Sequence, residues 1–117
     1  MNKTILVIDD DDILRKTLST GLRKEGFNVL SAPSGEDATK ILSRLSVDAI
    51  ILDRMMTGID GLSFLQQLRA RGDKTPTIML TAMGGSDNTI AGLSCGADDY
   101  LAKPFQFREL ILRLNNI

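Results

Sequence analysis

Ile5-Leu6-Val7-Ile8-Asp9-Asp10-Asp11-Asp12 sets four branched apolar residues directly against four acids. A run of four is too short for a core helix, and its β-branched content suits a strand buried on both faces of a parallel sheet. The acids that follow mark where the chain leaves the sheet. Asp11 or Asp12 is placed to cap a helix, because a short carboxylate accepts from the free N–H groups of a first turn. The stretch therefore reads as strand, polar strand end, helix start.

The same sentence recurs along the chain. Further apolar runs are Phe27-Asn28-Val29-Leu30, Ala49-Ile50-Ile51-Leu52, Thr77-Ile78-Met79-Leu80 and Tyr100-Leu101-Ala102. Between and after them lie stripes at helical spacing. They are Ile13, Leu14, Thr17, Leu18, Gly21 and Leu22; then Ala38, Ile41, Leu42 and Leu45; then Leu62, Leu65 and Leu68. Ile90 with Leu93 forms the fourth, and Phe107, Leu110, Ile111 and Leu114 form the fifth. Gly26, Gly72 and Gly96 follow helical stretches, as helix-ending glycines do. Ser34 and Asp60 are expected N-caps of the second and third helices. Strand and helix alternate five times. Right-handed crossovers then give a five-stranded parallel sheet with five helices distributed over both faces, an α/β doubly wound (βα)5 architecture.

Composition narrows the chemistry. At 117 residues the chain is expected to be a single domain, 1–117. With 43% apolar and 25% charged residues it is of ordinary globular composition. The net charge of -1 offers no basic surplus for direct nucleic-acid contact. Zero histidines exclude His-based triads, the usual zinc sites and a phosphohistidine role. One cysteine, Cys95, has no internal partner, and the apolar run after Met1-Asn2-Lys3-Thr4 is too short for a leader or a membrane span. A cytoplasmic setting is expected, with no membrane partner.

In a sheet of this kind ligands sit beyond the carboxyl ends of the strands. The sequence places Asp9 and Asp10 at one such end, Asp53 at a second, Thr81 at a third and Lys103-Pro104 at a fourth. Each has an ordinary reading alone: cap, turn residue, polar strand end or solvated charge. Crowded carboxylates repel unless a cation joins them. An all-oxygen, open site favours Mg²⁺, and a divalent ion, an amine and a hydroxyl around one carboxylate suit phosphoryl transfer onto it. A glycine-rich loop for a dinucleotide phosphate is missing after the first strand, where acids stand instead.

Over its entire length the sequence resembles the receiver domains of bacterial two-component response regulators. The segments that carry the resemblance are Ile5-Leu6-Val7-Ile8-Asp9-Asp10, Ile51-Leu52-Asp53-Arg54-Met55-Met56 with Asp60-Gly61, Leu80-Thr81-Ala82, and Gly96-Ala97-Asp98-Asp99-Tyr100-Leu101-Ala102-Lys103-Pro104-Phe105. The resemblance implies a flavodoxin-like fold and a phosphorylation-activated switch. It implies that Asp53 accepts the phosphoryl group from a sensor histidine kinase. Asp10 would bind Mg²⁺ directly, Asp9 through water, and Asp53 and the Met55 backbone carbonyl would complete the protein ligands. Thr81 would bond the phosphoryl group, Lys103 would pair with it after a cis peptide bond to Pro104, and Tyr100 would be the aromatic switch residue.

The wording around Asp98 to Phe105 most resembles the subclass with a winged-helix DNA-binding domain. That implies a transcriptional output through a domain beyond residue 117. It also implies a homodimer through the fourth helix, fifth strand and fifth helix. Asp99 and Arg113 are candidates for its cross-dimer ion pair, with Glu109 nearby, while Thr89 stands where a cation is expected. Thr57 replaces the usual proline of the loop after Asp53. The resemblance places Met55 and Met83 where they would flank the water that attacks a phosphoaspartate, and their long apolar chains are expected to cover the phosphoryl group and exclude that water. Neither can orient that water, so slow self-dephosphorylation is expected. A receiver that works without phosphate, and a cofactor binder or small phosphatase on the same sheet, are the competing classes.

Overall fold

A computed structural model describes residues 2–56, 58–82 and 96–117, with backbone only at Ala82. Its strands are β1 (Thr4–Ile8), β2 (Asn28–Ala32), β3 (Ala49–Asp53), β4 (Thr77–Ala82) and β5 (Asp99–Lys103). Its helices are α1 (Asp12–Lys24), α2 (Gly35–Leu42), α3 (Gly61–Ala70) and α4 (Phe107–Asn116), the last being the fifth helical stretch of the sequence. The stretch carrying Ile90 and Leu93 lies outside the described residues, as do Met83, Thr89, Cys95 and Thr57.

All strand pairs are parallel and the order is β2-β1-β3-β4-β5. This is the flavodoxin-like order, in which the chain reverses direction across the sheet between β1 and β3. Strand side chains alternate between faces, and each face has its own core. Ile5, Val7, Ile51, Ile78 and Leu80 pack with Leu18 and Leu22 of α1 and Leu110 and Leu114 of α4. Leu6, Ile8, Ile50, Leu52 and Met79 pack on the other face with Ala38 of α2 and Phe64, Leu65 and Leu68 of α3. Both faces of the central strands are dry, which is why their sequences are continuous apolar runs.

The caps fall where the residue types require. Asp11 accepts from the N–H groups of Ile13 and Leu14, Ser34 from Asp37 and Asp60 from Ser63. Gly26, Gly72 and Gly96 all have positive φ.

Three sequence expectations are corrected. Ile13 is 79% exposed, because the first turn of α1 begins above the sheet and its apolar face meets the core only from Leu14 onward. Leu45 lies beyond α2 and is 53% exposed, since the helix ends at Leu42 where the Ser43 hydroxyl bonds the Lys40 carbonyl. The second strand starts at Asn28 and runs on to Ala32, following its pairing with Thr4 through Ile8 of β1.

Candidate functional site

Four strand ends converge on one edge. β1 and β3 are neighbours, with Ile8 opposite Leu52, so the next residues, Asp9 and Asp53, emerge side by side. β3 continues into register with β4, where Asp53 faces Leu80 and sets Thr81 one step further on. β5 completes the edge, with Thr81 opposite Ala102 and Ala82 opposite Lys103. The Lys103–Pro104 peptide is cis, as expected.

Carboxylate oxygens of Asp9, Asp10 and Asp53 lie within 4.8 Å of one another. Asp9 and Asp53 are buried and Asp10 is half-buried. Lys103 Nζ donates to Asp53 Oδ1 at 2.9 Å and stands 3.9 Å from Asp9 Oδ2. Thr81 is buried beside them at its strand end. The Lys103 ammonium thus faces two of the three carboxylates, Asp53 and Asp9.

Asp9 shows the electrostatic cost most clearly. Its Oδ1 accepts from the Asp11 N–H at 2.9 Å, while Oδ2 is buried without a hydrogen-bond partner among the described residues. Burial pushes its carboxyl up to about 6. The charges of Asp53 and Asp10 push the same way, and the Asp11 N–H and the Lys103 ammonium oppose them. A buried acceptor left unpaired is uncommon in a folded chain and points to a group that completes it. The oxygen-only donors fit a hard divalent cation such as Mg²⁺.

Tyr100 is half-buried and packs against the core on the α2–α3 side. Met55 is 69% exposed, so its side chain stands off the cluster instead of covering it. Asp99 accepts from Arg113 Nη1 at 2.7 and 2.8 Å within the same chain, so this ion pair forms without a second copy.

Two residues of the site had no warning in their own spacing. Arg15 Nη1 donates to the Asp9 backbone carbonyl at 2.7 Å, bracing the β1 end from the first turns of α1. Gly61 was visible as part of the Asp60-Gly61 pair, but its reason was not. A Cβ there would lie 2.5 Å from the Asp53 carbonyl oxygen and 2.8 Å from the Arg54 Cα. The Gly61 N–H also donates to the Arg54 carbonyl at 2.9 Å, so α3 starts in direct contact with the backbone that carries Asp53.

Comparison with known proteins agrees with this geometry. Residues 5–115 match the family model of the response regulator receiver domain. The chain is 43% identical over 110 residues to response regulator MprA of Mycobacterium sp. (strain KMS), an alignment covering 94% of this chain and 48% of that protein. It therefore spans about half the length of the curated relatives it matches. The Francisella response regulator 1452 receiver domain superposes with a TM-score of 0.94 at 38% identity, covering 98% of this chain and 95% of that one. Vibrio cholerae chemotaxis protein CheY4 gives 0.94 at 28% identity, covering 100% and 99%. The chain belongs to the response regulator receiver domain family and is a switch module of two-component signalling.

Proposed function

We propose that this receiver accepts a phosphoryl group on Asp53 from a sensor histidine kinase and relays that state to a transcriptional output. The observation that carries the reading is the contact between Lys103 Nζ and Asp53 Oδ1 inside an oxygen-only cluster whose Asp9 Oδ2 accepts no hydrogen bond among the described residues. An Asp53 oxygen attacks the donor phosphorus and forms the acyl phosphate bond. The bond from phosphorus to the donor nitrogen breaks, and its electron pair stays on the donor imidazole. Lys103 neutralises charge on the transferred oxygens, and the Thr81 hydroxyl donates to one of them. Asp9, Asp10, Asp53 and the Met55 backbone carbonyl would hold Mg²⁺, which would add positive charge to that of Lys103. Tyr100 is the residue that repacks when Thr81 moves.

The wider reading follows the family. The domain spans 1–117, its fold includes a fifth helix between β4 and β5, and it works in the cytoplasm. Among the described residues no helix is long and apolar enough to cross a membrane. A DNA-binding domain after residue 117 would carry the output, with dimerisation through the helix preceding β5, β5 itself and α4. Small phosphodonors serve in place of the kinase, so the domain catalyses its own labelling without being an enzyme in the ordinary sense.

The test is intact mass after incubation with acetyl phosphate and Mg²⁺. The parent chain gains one phosphoryl group and Asp53→Asn gains none. Equal labelling of the two chains rejects Asp53 as the acceptor, and an unlabelled parent that also fails to bind beryllofluoride favours a receiver that works without phosphate.

A further inference from the structure

A polar groove lies between α1 and the edge strand β2, beginning beside the Asp9 end of β1 that Arg15 braces. Its volume is about 260 Å³, and Arg15, Lys16, Ser19, Thr20, Arg23 and Ser31 line it. The α1 residues recur at one, four, five and eight positions after Arg15, so they form one stripe along the helix. Ser31 shares its strand face with Val29, which packs toward α1, so it closes the groove from the sheet side.

The lining is three cations and three hydroxyls, with no carboxylate among them. Not all of that charge is available. Arg15 is spent on the Asp9 carbonyl and on Asp12. The Ser19 hydroxyl donates to the Arg15 carbonyl. Arg23 gives one N–H to the Val29 carbonyl at 3.3 Å and keeps the rest of its donors. Lys16, and the hydroxyls of Thr20 and Ser31, have no partner among the described residues. Lys16, Thr20, Arg23 and Ser31 are exposed, so two side-chain cations and two hydroxyls line one small solvent-open groove. Donors of this kind match the oxygens of a tetrahedral dianion.

We infer that this groove binds a small soluble phosphate monoester. The cavity is smaller than sites for drug-sized ligands, which suits a phosphoryl group with a short substituent. A lipid surface is the less fitting source of the same headgroup. Among the described residues, none of the large exposed apolar ones, Ile13, Leu45, Met55 and Leu112, lines the groove to insert into a membrane. The groove shares Arg15 with the acidic edge, but its other cations, Lys16 and Arg23, make no contact there among the described residues.

The test uses the 117-residue chain in EDTA, which keeps metal-bridged phosphate off the acidic edge. Glycerol phosphate is titrated at ionic strength held constant with chloride, and backbone amide resonances are followed. Saturable shifts centred on Lys16, Thr20 and Ser31 are expected. Lys16→Gln with Arg23→Gln weakens binding by about tenfold or more, while Lys24→Gln, a neighbouring cation outside the groove, leaves it unchanged. Circular dichroism of each variant confirms the fold. Non-saturating shifts, or an equal loss in the Lys24→Gln chain, overturn the site. Sedimentation with phosphatidylglycerol vesicles without any response to glycerol phosphate overturns the soluble ligand.

Discussion

Lys103 Nζ reaches Asp53 Oδ1 at 2.9 Å, joining residues 50 positions apart. Asp53 is buried and Lys103 is partly open to solvent, so the pair lies between a surface ion pair and a buried one. The amine offsets a charge that the sheet edge cannot solvate.

Replacing that amine separates its two roles. Lys103→Ala is expected to fold, with a loss of about 1–2 kcal/mol from the uncompensated Asp53 and Asp9, discounted for solvent screening. Urea unfolding in EDTA measures the loss. The phosphate-dependent resonance changes at Thr81 and Tyr100 should disappear in the same chain. Their full survival would remove Lys103 from the switch.

Asp9 gives the fold a pH dependence of unusual sign. Its carboxyl is held at about 6, above the ordinary 3.8, chiefly by burial. Between those values the folded chain binds more protons than the unfolded one. Stability from this group is full below 3.8 and is lost as the pH rises through about 6. The cost at neutral pH without metal is roughly 3 kcal/mol at most. Asp9→Asn should therefore stabilise the metal-free chain at pH 7 and flatten the fall between pH 4 and 6. Thermal melts across that range in EDTA decide it, and a destabilised Asn variant would refute the account.

Gly61→Ala tests the contact that seats α3. A methyl group 2.5 Å from the Asp53 carbonyl oxygen cannot be absorbed by rotating a side chain, because the opposing atoms are backbone. The expected loss is about 1–3 kcal/mol, with weaker Mg²⁺ binding because Asp53 is displaced. Urea denaturation and a metal titration give the two numbers.

The lifetime of the phosphorylated state should respond at Met55. This side chain is exposed beside the acidic edge and has no group that hydrogen-bonds a water strongly. Slow decay is expected in the parent chain. Met55→Asn should speed it by about tenfold if a positioned water is worth about 1.4 kcal/mol, and Met83→Glu should act in the same direction. The decay is followed by intact mass after the donor is removed. Loss from the parent within seconds, or no acceleration in either variant, would count against the reading.

Dimerisation, if driven by phosphate, should be weak. Arg113 and Asp99 already pair within one chain, so a cross-dimer bridge must first exchange that partner. Exposed pairs contribute only about 0.2–1 kcal/mol. Sedimentation with and without beryllofluoride should show a shift only at high concentration, and Arg113→Ala should reduce it.

The sequence by itself determined where the strands lie, though not the bounds of β2, and the caps and the strand-end acids. Each is a local property: Ile50 to Leu52 can only be buried on both faces, and Asp11, Ser34 and Asp60 cap because their side chains reach their own following N–H groups. It also indicated which residues share an edge, because alternation of strand and helix forces a parallel sheet. It failed where burial depends on how far an element projects. Ile13 and Leu45 sit on helical stripes yet face solvent, since periodicity gives a face but not where the neighbouring element ends. Only the tertiary structure decided the electrostatics and the close contacts. The burial of Asp9 Oδ2 beside Lys103, the Arg15 brace on the Asp9 carbonyl and the closeness of Gly61 to the Asp53 carbonyl depend on distances between separate elements. Spacing along the chain does not encode those distances, because they are set by packing across the sheet.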